Sequence, residues 1–266
     1  VLPPVYAHEL GPGEHEHGAA QGPAVHLDPH LLLAAVFAMT VMSTLIGTLT
    51  GFAASRYQRT AVLSVGFAGG AFMGFLFDLL KSTSGLGTGT LNSMLDLLNL
   101  LGLLVGAAAV ALLCSKSDLP TGLTSAYSWA LIAVGAHAVG EGIVIGYDVA
   151  TGETVISLFQ VSSFALHKVA EGFAIGVVFS NAGALRHGLL ASVLVSLAVP
   201  LGAVSALTGL PPGFSTIWFA TASGAIIWSI PTVFSLKGSA DLRNRLGGLL
   251  IGFVFVYLAG TLHQLI

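Results

Sequence analysis

Charge is the scarcest commodity in this chain. Asp, Glu, Lys and Arg make up 8% of its 266 residues, where a soluble domain carries about 25%. So few charges cannot cover a water-facing surface, which excludes an ordinary soluble fold. Cysteine is nearly missing too. The single Cys114 rules out a disulfide framework and a CxxC metal site, and reads as a small buried apolar residue. No basic run occurs, so nothing points to nucleic acid as a partner.

Apolar length is what the chain has instead. Hydrophobic residues reach 55% and the mean hydropathy is +0.89. Eight stretches have the roughly 20 residues that cross a bilayer: about 30–54, 61–80, 93–114, 125–147, 155–180, 187–208, 214–236 and 245–265. They predict an all-α integral membrane protein of eight transmembrane helices, with lipid as a constant partner. Arg56, Arg59, Lys116, Arg186, Lys237, Arg243 and Arg245 fall on one side of these segments, and only Lys81 on the other. By the positive-inside bias, both termini are extracytoplasmic. Residues 1–29 stand apart from the 30–266 membrane domain. They are rich in Pro and Glu, lack Lys and Arg, and contain His8, His15 and His17. This composition predicts a disordered tail that either captures metal or is simply solvated.

Against this background one motif occurs twice. His137-Ala138-Val139-Gly140-Glu141-Gly142 lies in the fourth segment, and His167-Lys168-Val169-Ala170-Glu171-Gly172 in the fifth. Ionisable residues at membrane depth are costly and mark function. His and Glu four apart share a helix face. Counting from the outer ends of two antiparallel helices brings both motifs to one level near the midplane. Two imidazoles and two carboxylates suit Zn²⁺, and also Fe²⁺, Mn²⁺ or Co²⁺; the lack of thiolates disfavours Cu⁺. HExxH is absent, so a zinc protease has no support.

These residues resemble the ZIP (Zrt/Irt-like) family of divalent metal transporters. The resemblance spans nearly the whole chain: eight segments, HxxxEG in the fourth and fifth, Phe67-Ala68-Gly69-Gly70 in the second, and Pro200-Leu201-Gly202 in the sixth. It implies a 3+2+3 inverted-repeat arrangement. It also implies carriage of divalent cations (Zn²⁺, with Fe²⁺, Mn²⁺ and Cd²⁺ as alternatives) toward the cytoplasm across the cell membrane, plasma or inner. Segments 1, 4, 5 and 6 would move elevator-like against 2, 3, 7 and 8. His137, Glu141, His167 and Glu171 match the family's primary metal site. The metal would be substrate, with no catalytic cofactor and no enzymatic activity, and a homodimer is compatible with the resemblance.

Three departures bear on metal number. Ala138, Lys168 and Val199 stand where two-metal members carry Asn, Asp and Glu. The expectation is a single-metal site in which Lys168 takes the place of the second cation; the competing expectation is a lysine that snorkels to water. Asp78 and Asp96, with Asn92, are candidates for an outer entrance, and Met73, after the Phe67–Gly70 stretch, for a soft contact on the pathway. Gly66/Gly70/Gly74, Gly102/Gly106 and Gly248/Gly252 have small-xxx-small spacing, for contacts within or between protomers. Two other classes use the same residues: a membrane-embedded metal-dependent hydrolase and a passive divalent cation channel.

Overall fold

The computed structural model describes residues 29–83, 93–116, 127, 129–151, 158–210, 214–235 and 242–264. Among them every regular element is a helix, as expected where no water is present to satisfy a backbone. The helices are α1 (Pro29–Arg56), α2 (Gln58–Thr83), α3 (Ser93–Lys116), α4 (Gly135–Thr151, entered through the π-helical Trp129–Val134), α5 (Leu158–Asn181), α6 (Leu185–Leu207), α7 (Phe214–Ser235) and α8 (Leu242–Gln264). Connections are tight. Tyr57 alone separates α1 from α2. Gly183, at φ 66°, turns α5 into α6 in a left-handed conformation that favours glycine.

Five of these helices contain a stretch long and apolar enough to cross a membrane: Leu33–Arg56, Thr60–Phe77, Trp129–Ala150, Ser162–Asn181 and Leu185–Leu207. In α3 and α7 the apolar stretch is shorter, Leu97–Leu113 and Phe214–Trp228. The chain is a multi-pass membrane protein, and its burial pattern is inverted accordingly. Leu104 and Leu201 face outward at 54% and 65% exposure, while Thr40, Thr44, Thr48, Ser192 and Ser196 are buried.

Four helix pairs dominate the packing: α1 with α5, α2 with α8, α4 with α6, and α3 with α7. Between helices in lipid, close van der Waals fit replaces the hydrophobic effect, and glycine supplies it. A Cβ at Gly172 of α5 would strike the Thr44 carbonyl of α1. One at Gly142 of α4 would strike the Val199 carbonyl of α6. Gly70 meets Leu249 across α2 and α8 in the same way, and Gly106 meets Thr221 across α3 and α7. The small-xxx-small spacings thus serve contacts within one chain. The α1–α5–α6 junction adds a hydroxyl link: Thr48 Oγ1 donates to the Gly172 carbonyl at 3.1 Å and lies 2.6 Å from Ser192 Oγ.

Candidate metal centre

Glycine contacts seat α4 on α6 and α5 on α1, and the two motifs meet through their side chains. His137 Nε2 lies 3.1 Å from His167 Nε2. His137 Nε2 is 3.3 Å from Oε1 of both Glu141 and Glu171. His167 Nε2 is 3.4 Å from Glu141 Oε1 and 3.2 Å from Glu171 Oε1. Ordinary pairing does not explain this. Each Nε2 carries at most one proton yet faces three atoms. An ion with ligands at about 2.0–2.2 Å in tetrahedral geometry has ligand–ligand edges of about 3.3–3.6 Å, close to the imidazole–imidazole and imidazole–carboxylate spacings. All four ligand atoms lie within 4.8 Å of one another. His137, His167 and Glu171 are buried, and Glu141 is half-buried at 14% side-chain exposure.

The carboxylates divide their work. Their Oε1 atoms face the imidazoles, and Lys168 approaches from the other side. Lys168 Nζ donates to Glu141 Oε2 and to Glu171 Oε1 and Oε2, the latter two at 2.9 and 2.8 Å. Three N–H donors thereby face three acceptors. The Lys168 ammonium also stands 5.4 Å from the Phe164 ring. At 1% exposure it does not snorkel. Ala138 and Val199 are buried as well and present only alkyl groups.

Aromatic rings close the cluster. Phe75 of α2 lies 4.9 Å from the His167 ring and 6.0 Å from that of His137. Phe219 of α7 lies 5.7 Å from His137, against Gly140. Neither phenylalanine is distinguishable in sequence from lipid-facing ones such as Phe77, which is 45% exposed. Of the other expected residues, Asp78 falls in α2 and Asp96 in α3, with side chains outside the described set. His8, His15, His17 and Asn92 also lie outside the described residues. Met73 is 40% exposed, on the outward side of α2. Pro200 sits inside α6, and Phe67 packs edge-on against Phe173 at 4.9 Å.

The fold and this centre define a class: a multi-pass helical membrane protein with a buried His₂Glu₂ cluster able to hold a metal ion. Set beside known proteins, the chain matches no family model and no curated protein.

Proposed function

We propose that this protein is a carrier of the ZIP kind, moving divalent metal ions, Zn²⁺ first among them, toward the cytoplasm one at a time. The observation that carries the reading is the convergence of two imidazole nitrogens and two carboxylate oxygens, within 4.8 Å of one another, inside a multi-pass helical bundle. Lys168 supplies the positive charge that a second metal would bring, so one ion per protomer is the expected load.

A 3+2+3 inverted repeat has support in the packing. Exchanging α1–α3 with α6–α8, and α4 with α5, turns the α1·α5 pair into α6·α4 and the α2·α8 pair into α7·α3. All four are the dominant pairs. The glycine contacts with neighbouring backbone join helices within the group α1, α4, α5, α6 or within α2, α3, α7, α8, while Gly140 of α4 meets the Phe219 ring of α7 across the two groups. Between the groups, bulky rings such as Phe75 and Phe219 meet the site instead. That division suits two bodies sliding past one another, with eight spanning helices and both termini outside. A hydrolase needs an open metal position for water, and four protein ligands leave none. A passive channel needs a continuous pathway, whereas this centre is buried beneath two aromatic rings.

Uptake into proteoliposomes tests the proposal. Saturable Zn²⁺ flux is expected, and it should be abolished in His137→Ala, Glu141→Ala, His167→Ala and Glu171→Ala proteins that remain folded and inserted. Near-normal flux in either Glu variant refutes the assignment. Fast unsaturable flux makes the protein a channel, and metal binding without flux overturns the carrier reading.

A further inference from the structure

A crevice of about 320 Å³ separates α4 and α6 from α7, lined by Leu131, Gly135 and Ala136 of α4 and its π-helical entry, Leu194 of α6, and Trp218 and Thr221 of α7. Leu131, Leu194 and Trp218 are each 40–43% exposed. They lie in the apolar stretches of their helices, so the medium they meet is hydrocarbon. The Thr221 hydroxyl is already spent on the Ile217 carbonyl at 2.9 Å. The Trp218 indole N–H is the polar group left on these six side chains. It stands in the second turn of α7, and such a ring suits the headgroup boundary. Depth comes from Gly135, where an added Cβ would meet nothing nearer than the Ala130 carbonyl oxygen at 3.9 Å.

We propose that this crevice binds one acyl chain of a bilayer phospholipid, and that the bound chain regulates how readily α4 moves against α7. The medium selects the occupant: the lining side chains lie in the apolar stretches of their helices, where acyl chains are the surrounding solvent, and the volume lies at the small end of the ~300–1,000 Å³ typical of ligand sites. A chain in the crevice regains dispersion contacts that an unfilled space forfeits. The position links it to the metal centre. Ala136 precedes His137, and α7 also supplies Phe219 to the His137 ring. Any movement that re-exposes His137 past α7 must reshape the crevice. The regulatory half rests on the carrier reading; the binding half does not.

Tryptophan quenching tests occupancy. Trp129→Phe with Trp228→Phe leaves Trp218 as the reporter among the three tryptophans. The protein is reconstituted in phosphatidylcholine with brominated acyl chains. Gly135→Leu fills the crevice and should cut Trp218 quenching about twofold. In a companion protein retaining only Trp228, which is 51% exposed, the same substitution should change nothing. Unaltered Trp218 quenching in folded Gly135→Leu protein overturns the site. Leu194→Ala widens the crevice without overpacking it, so quenching should rise; a fall overturns the site independently of the first variant. For the regulatory half, Gly135→Leu should shift the initial Zn²⁺ uptake rate by about threefold or more without changing bound metal. Lost quenching with an unchanged rate overturns regulation. If the parent protein transports no metal, the carrier reading fails, and the quenching comparison still decides the site.

Discussion

Replacing Lys168 by Met should make the metal-free protein less stable and its grip on Zn²⁺ tighter. The Lys168 ammonium is bonded to both carboxylates of the cluster at 1% exposure. Removing one partner of a buried charge group costs about 3–5 kcal/mol. Two unit charges about 4 Å apart interact by about 4 kcal/mol at an effective dielectric of 20, so losing the bridge and leaving two like charges together accounts for a change of that size. A divalent ion among the Oε1 atoms restores the missing positive charge, and the loss therefore falls mainly on the empty state. If only about 1.4 kcal/mol of that difference persists in binding, the Kd for Zn²⁺ falls tenfold. Turnover should fall with it, because release slows and the empty site returns with two uncompensated carboxylates. Unfolding of purified protein with and without Zn²⁺ measures the first effect, chelator competition the second and vesicle uptake the third. Weaker Zn²⁺ binding, or metal-free stability equal to the parent, refutes the charge-replacement argument.

The same argument predicts metal number. The parent should bind one ion per protomer at this centre, and Lys168→Asp with Ala138→Asn should partly restore a second; two full anomalous peaks about 4 Å apart in a metal-soaked crystal of the parent contradict the prediction. Gly172→Val should lower stability by about 1–3 kcal/mol and reduce uptake, because its Cβ would meet the Thr44 carbonyl. Gly247→Ala, facing open space, should be neutral or stabilising by up to about 1 kcal/mol; equal losses in both variants, read by thermal unfolding, contradict the packing account. Deleting residues 1–25 should leave maximal uptake nearly unchanged and at most weaken apparent affinity at low metal, and abolished uptake by inserted protein would make the tail part of the core mechanism.

The four candidate ligands were legible in sequence because helical periodicity and membrane cost act on the same residues. His137 and Glu141 share a face by spacing alone, as do His167 and Glu171, and matched depth on the two helices lets the side chains meet. Lys168 was half legible. Its place beside His167 fits either a bridge or a snorkel, and what separates them is the position of the two Oε2 atoms, which depends on both helices at once. Phe75 and Phe219 left no trace, because a ring on an apolar helix has the same spacing whether it meets lipid or an imidazole. The π-helical turn at Trp129–Val134 was equally silent, and the fourth helix runs on to Thr151, four residues beyond the expected end at 147. Arg56 and Arg59 were read as loop residues, yet they belong to α1 and α2. A long side chain can carry its charge to the boundary while its backbone stays helical.

A metal centre that must let go is built differently from one that keeps its ion. Resident sites usually fix each ligating imidazole through its second nitrogen, and loss of such a partner typically weakens affinity about 10–100-fold. His137 Nδ1 is buried and has no hydrogen-bond partner among the described residues. Its ring is held by packing against Phe75 and Phe219 instead. The carboxylates are shared with Lys168, which would compete with a bound metal for their charge. Under the carrier reading, both features would lower the stability of the loaded state relative to the empty one. In a structural or catalytic site they would be defects. In a carrier they allow an ion drawn into a low-dielectric interior by two carboxylates to leave again once the helices expose it to the other side.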